Sequence, residues 1–184
     1  MNERTQHTFT NLWYSLALGF GSGHAPRAPG TFGTLAALPV YFAISHLGPV
    51  AYALWVFLAF VFGIWLCGHV ANDMKVKDPG CIVWDEFVGL WITLFLLPVG
   101  WYWIFIGFGL FRFFDIVKPW PVSWADKSLS GGMGIMGDDV LAGFYGLAVI
   151  DLRNVWFFIT FLRLSIIYVL LGQGHGGEGA RFHV

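Results

Sequence analysis

The sequence predicts an all-α integral membrane protein: a helical bundle of hydrophobic hairpins with glycine-rich loops and its polar site on one membrane face. Three observations carry that expectation. Of 184 residues, 57% are hydrophobic and only 11% charged, against roughly 25% charged in a soluble domain. Two long runs, residues 28–72 and 87–111, contain no Lys, Arg, Asp or Glu. Most of the charges that remain are bunched between and after these runs, where a water-facing surface would need them spread. The length argues for one domain, residues 1–172, followed by a tail, 173–184, expected to be disordered. A formal net charge of -1 leaves no basic face for nucleic acid. Cys67 and Cys81 show neither metal-ligand spacing nor a disulfide framework. The first eleven residues lack the apolar core of a cleavable signal.

Residues 12–18 suit a short interfacial helix, with Trp13 and Tyr14 at headgroup level. Residues 19–34, GFGSGHAPRAPGTFGT, read as a glycine-rich loop. Its backbone N–H groups, the Ser22, Thr31 and Thr34 hydroxyls and the Arg27 guanidinium suit an anion such as phosphate. A flexible connector has the same composition, and no P-loop spacing is present. The first uncharged run divides at His46, Gly48 and Pro49 into helices of about 32–47 and 50–71. The second of these is long enough to cross about 30 Å of hydrocarbon. Charge returns within 71–87 as Asp73, Lys75, Lys77, Asp78, Asp85 and Glu86.

The second uncharged run breaks at Pro98 and Gly100, giving helices of about 84–97 and 101–117. Each arm spans roughly 22 Å, short enough to be re-entrant or buried among other helices. Arg112, Asp115 and Lys118 are spaced by three and share one helix face. Pro119 and Pro121 then end the helix. Residues 128–137, SLSGGMGIMG, read as a second glycine-rich loop. A last helix is expected to open near Asp138, where a carboxylate suits the positive end of the dipole, and to run to about Ile150. Asp151, Arg153 and Asn154 interrupt it, and an apolar segment, 155–172, follows with Arg163 inside it.

Folding these hairpins sorts the connections. The turns near 46–49 and 98–100 carry no Lys or Arg and fall on one side. Loops 19–34, 72–86 and 112–139 fall on the other, with Arg27, Lys75, Lys77, Arg112, Lys118 and Lys127. The positive-inside rule makes that face cytoplasmic. Asp85 with Glu86, and Asp138 with Asp139, then form acid pairs at the openings of two apolar helices. Such oxygen donors suit Mg²⁺. Helix capping needs one acid per helix, so a doubled acid beside lipid points to the metal. Asp73 is a weaker contributor or a solvated loop acid. Arg112 and Lys118 suit a phosphate, as a fork and a point charge; otherwise they pair with Asp115 or touch lipid headgroups. Asp115 has the chemistry of a ligand, a base or a counter-ion. Asp126 and Lys127 read as solvated charges.

The stretches GFGSGHAPRAPGTFGTLAALP, IVWDEFVGLWIT and FRFFDIVKPWPVSWADKSLSGGMGIMGDDVLAG occur in that order and cover roughly residues 12–147. Together they resemble the bacterial phosphatidylglycerophosphatase A family. The resemblance implies an all-helical, Mg²⁺-dependent lipid phosphatase of the bacterial inner membrane. Its substrate would be phosphatidylglycerophosphate, presented by membrane lipid, and its products phosphatidylglycerol and inorganic phosphate. The acids that match the motifs are Asp73, Asp85, Glu86, Asp115, Asp126, Asp138 and Asp139, and the matching cations are Arg112 and Lys118. The expected catalytic set is Asp85, Glu86, Asp115, Asp138 and Asp139, with Mg²⁺ on Asp85, Glu86, Asp138 and Asp139. Ser22, Arg27, Thr31, Arg112 and Lys118 are expected to bind the substrate.

The nucleophile stays open between a water, activated by the metal or by Asp115, and an Asp carboxylate. Two other functions fit membrane carboxylates. A CDP-alcohol phosphatidyltransferase needs a spaced acidic motif beginning D-G-x-x-A-R, which is missing. A small cation transporter places its ionisable groups near the midplane, whereas these acids lie at the ends of apolar runs. Beyond Ile150 the chain departs from the family pattern, and oligomeric state is not legible.

Overall fold

The computed structural model describes residues 11–98 and 100–173, with side chains as far as Leu152. Residues 1–10 of the segment read for a signal, and residues 174–184 of the expected tail, lie outside the described residues. All regular structure among the described residues is helical. The chain forms two units, one ending at Ala148 and one starting at Val149; the site lies in the first.

Helix α1, Leu12–Ala17, is capped by Asn11, whose side chain accepts from the Trp13 N–H at 3.0 Å. A 3₁₀ turn, Gly19–His24, leads to α2, Pro29–Ala36, and α3, Leu38–Ile44. Helix α4, Pro49–Met74, starts on Pro49 and ends where Lys75 turns left-handed. Then come α5, Trp84–Thr93, and α6, Tyr102–Val117, which stops at left-handed Lys118 before Pro119. Helix α7, Val122–Ser128, precedes the long α8, Gly131–Gln173. The segments Pro49–Met74 and Gly131–Leu152 are long and apolar enough to cross a membrane. Leu54, Trp55, Phe57, Leu58 and Val61 stand exposed on α4, as a lipid-facing surface requires. This is a membrane protein.

Helix α5 is the buried axis of the first unit, with Phe87, Val88, Leu90 and Trp91 closed off. Its polar tips are committed to the backbones around it. Trp84 donates to the Ala59 carbonyl at 3.1 Å, and Trp91 donates to the Ala37 carbonyl at 3.1 Å. The Thr93 hydroxyl lies 3.1 Å from both the Gly89 and Gly143 carbonyls, joining α5 to α8. At one end the turns around Ser45–Pro49 and Leu94–Leu97 line a shared cavity of about 140 Å³. At the other, the Val83 N–H donates to the Ala17 carbonyl at 2.9 Å, and the Tyr14 hydroxyl donates to Asp73.

Several local expectations are corrected. Residues 19–34 are not one loop: Pro29 suits the first turn of a helix, and α2 starts there. The helix expected over 32–47 is two, divided at Ala37 because Pro39 in the first turn of α3 has no N–H to continue the ladder. The stretch SGGMGIMG is helical from Gly131, so α8 does not open near Asp138. Asp138 and Asp139 therefore lie about two turns inside a helix. Nor does the helix break at Asp151–Asn154; it continues to Gln173.

The glycines that read as loop allow a close helix crossing. A Cβ on Gly132 would stand 1.7 Å from the Ile64 carbonyl oxygen of α4. Contact at that crossing offsets the weak helix propensity of glycine. Gly132→Ala is expected to destabilise the protein by about 1–3 kcal/mol, read as a lower unfolding temperature in detergent.

Candidate functional site

Asp85 and Glu86 occupy the first turn of α5. Asp139 comes from α8. Carboxylate oxygens of these three residues all lie within 4.8 Å of one another. Asp139 is buried and the other two are half-buried. The Glu86 N–H donates to Asp85 Oδ1 at 3.1 Å. Arg112, on α6, brings Nη1 to 3.9 Å from Glu86 Oε1 and 2.6 Å from Asp115 Oδ2. One guanidinium, already paired with Asp115, thus reaches the three clustered acids through Glu86 alone among the ion pairs of the described residues. Like charges this close and this dry do not all stay ionised without a proton or cation among them. Glu86 Oε2 and Arg112 Nε are buried and make no hydrogen bond. An all-oxygen donor set with an unsatisfied carboxylate oxygen fits a hard divalent cation such as Mg²⁺.

Gly30, in the first turn of α2, lies directly against this cluster. A Cβ there would stand 2.3 Å from Glu86 Oε1 and 2.9 Å from Arg112 Nη1. The first glycine-rich segment therefore reaches the acids through bare backbone. Sequence reasoning missed Gly30, because nothing local distinguishes it from the other glycines nearby.

Residues 15–154 match the family described as Phosphatidylglycerophosphatase A. The chain belongs to the phosphatidylglycerophosphatase A family. It is 50% identical over 135 residues to Phosphatidylglycerophosphatase A of Escherichia coli K12, covering 73% of this chain and 78% of that one. It is 46% identical over 157 residues to Phosphatidylglycerophosphatase A of Haemophilus influenzae, covering 84% and 96%. It is 43% identical over 143 residues to a Bacteroides thetaiotaomicron protein provisionally named a phosphatidylinositol-3-phosphatase, covering 73% and 89%. No solved structure matches the chain.

Within this phosphatidylglycerophosphatase A family chain, Asp138 is not among the acids that meet. Its Oδ2 accepts from Lys118 Nζ at 2.7 Å, and Lys118 also reaches Asp126. Neighbours on a helix point about 100° apart, so an adjacent pair two turns inside α8 divides between two partners. Lys118 has left the Arg112–Asp115 face because its backbone turns left-handed, with φ 46°. Burial works against its charge, yet the hydrogen bonds to Asp126 and Asp138 lift its pKa above the ordinary lysine range.

Ser22 Oγ is buried with no hydrogen-bond partner. Arg27 is exposed before α2, and Thr31 is half-buried one residue past Gly30. The Thr34 hydroxyl is committed to the Gly30 carbonyl at 2.7 Å. Asp73 accepts from Tyr14; burial first and then this hydrogen bond push the Tyr14 phenol up to about 12.

Proposed function

We propose that the chain hydrolyses phosphatidylglycerophosphate to phosphatidylglycerol and inorganic phosphate, using Mg²⁺ held by Asp85, Glu86 and Asp139. Family membership makes it a phosphatase; the metal, the residue roles and the setting are the proposal. The observation that carries it is the meeting of those three carboxylates beside Arg112. Mg²⁺ bound there supplies Lewis acidity toward a phosphoryl oxygen.

The residues around it do the rest. Arg112 offers its unpartnered Nε to a phosphate oxygen as a charge-assisted donor, while Asp115 fixes the guanidinium through Nη1. In the first turn of α2 Pro29 has no N–H and Thr31 and Phe32 donate to the Ala28 carbonyl, so the Gly30 N–H is the one left for an anion. Lys118 orients Asp138. Its other partner, Asp126, is the more exposed, 35% against 12%, and so is the one a phosphate displaces. Arg27, Lys75, Lys77 and, in α7, Lys127 belong to the connecting segments that the sequence groups with the acids, which supports a bacterial inner-membrane enzyme with its site facing the cytoplasm. A lipid phosphatase gains from being embedded, since only the headgroup has to leave the leaflet.

The test is purified protein in detergent with phosphatidylglycerophosphate, with Mg²⁺ or with EDTA. Phosphate and phosphatidylglycerol are expected in equal amounts with Mg²⁺. Chelation should cost at least about a hundredfold, restored by added Mg²⁺. Undiminished release in EDTA removes the metal from the proposal. No release at all, with cation flux in liposomes, replaces the phosphatase with a transporter.

A further inference from the structure

A groove of about 340 Å³ opens between α4, α5 and α8. Tyr52, Val56 and Phe60 of α4, Ile92 of α5, and Val140 and Phe144 of α8 form its walls. The Tyr52 hydroxyl donates to the Trp91 carbonyl at 2.8 Å, so its polar tip is spent inward and the ring faces the groove. The acid cluster uses none of these side chains.

The position of the groove says what it takes. Val140 follows Asp139 directly, and Phe144 is one turn further along α8. Ile92 is six residues past Glu86, about 9 Å along α5. Trp84, next to Asp85, donates to the Ala59 carbonyl, which sets the Phe60 end of the groove level with the acids. Tyr52 is eight residues further toward the start of α4, about 12 Å. The groove thus begins at the level of the acids and runs toward the opposite end of the bundle.

Two of its three walls are the segments long and apolar enough to cross the membrane. Phe57 and Phe144 stand exposed along its open side, which therefore faces hydrocarbon. An unfilled apolar groove there forfeits dispersion contacts along its lining, and water finds no polar partner in it. A linear apolar chain matches its chemistry and depth. In the lipid proposed above, a phosphoglycerol spacer separates the scissile phosphate from the diacylglycerol. A molecule with its terminal phosphate at the acids therefore keeps its chains in the adjoining leaflet, at groove depth.

We infer that this groove seats one acyl chain of the lipid whose terminal phosphate is cleaved, an inference that rests on the proposed function. Chain length then enters the binding of substrate, not the chemical step.

Ala53 lines the groove from α4 with an exposed side chain, so a larger residue there fills the groove without entering the core. Full-length wild type, Ala53→Phe and Phe144→Ala are assayed for phosphate release in mixed micelles. The substrates are dipalmitoyl and dihexanoyl phosphatidylglycerophosphate. Ala53→Phe should raise KM for the dipalmitoyl lipid about tenfold, the effect of about two methylenes losing their seat. Its kcat, and both constants for the dihexanoyl lipid, should stay within about twofold, which also reports intact folding. Phe144→Ala should shift the same ratio in the same direction by less.

Equal changes at both chain lengths, or wild-type ratios in both variants, overturn the inference and leave the phosphatase reading standing. A uniform loss with a changed oligomer mass assigns the groove to a second copy and overturns it too. No release by wild type from either lipid fails the function itself, and the inference falls with it.

Discussion

Asp139→Asn is expected to lower phosphate release by about 10³-fold or more, in a protein that melts higher than its parent when Mg²⁺ is withheld. Both effects come from one geometry. Asp139 is 4% exposed and shares a 4.8 Å cluster with Asp85 and Glu86. Without a cation, the three carboxyls either repel or hold a proton, and either state costs folding free energy across so poorly solvated a gap. Asn has nearly the same shape, carries neither a charge nor a titrating proton, and relieves about 1–3 kcal/mol of that cost. It also removes an anionic oxygen on which the proposed metal depends. Thermal unfolding in detergent, with and without Mg²⁺, reads the first effect. The parent should gain stability from Mg²⁺ and the variant should not. Phosphate release reads the second. A variant that keeps its activity and its response to Mg²⁺ would take Asp139 out of the site.

Gly30→Ala should separate activity from stability in a different way. Alanine is the better helix former by about 1 kcal/mol, so on propensity alone the substitution in α2 is favourable. The new Cβ, however, would lie 2.3 Å from Glu86 Oε1 and 2.9 Å from Arg112 Nη1. Either α2 backs away or the carboxylate and guanidinium move. Displacements of about 1 Å at a reacting centre cost on the order of 10²-fold, and that is the loss expected in kcat/KM. Gly48→Ala is the matching control, because a Cβ there meets nothing within 4 Å, and its activity should be unchanged. A fully active Gly30→Ala enzyme would show that the approach of α2 is incidental to the chemistry.

The elements that were legible in the sequence are those whose signal is local and additive. The run from Pro49 onward reads as a crossing helix because every residue in it contributes to partition into hydrocarbon, whatever its neighbours in space. Asp85 and Glu86 at the start of an apolar helix were legible for the same reason, as was the stop at Lys118–Pro119. The stretch SGGMGIMG misled because glycine propensity is also local, whereas the contact that makes it helical is with Ile64 on another helix. Asp138 and Asp139 read as one pair because they are adjacent. Helical phase sends one toward Asp85 and Glu86 and the other to Lys118.

By itself, then, the amino-acid order determined that this chain is helical, belongs in a membrane and carries the motifs of a phosphatase family. Which three carboxylates share a site, that Gly30 lies against Glu86 and Arg112, and that Lys118 serves Asp138 were decided by tertiary structure alone. Burial in lipid sums over consecutive residues. Convergence depends on the rotation of each helix and the closeness of its packing, which residues more than fifty positions apart settle together.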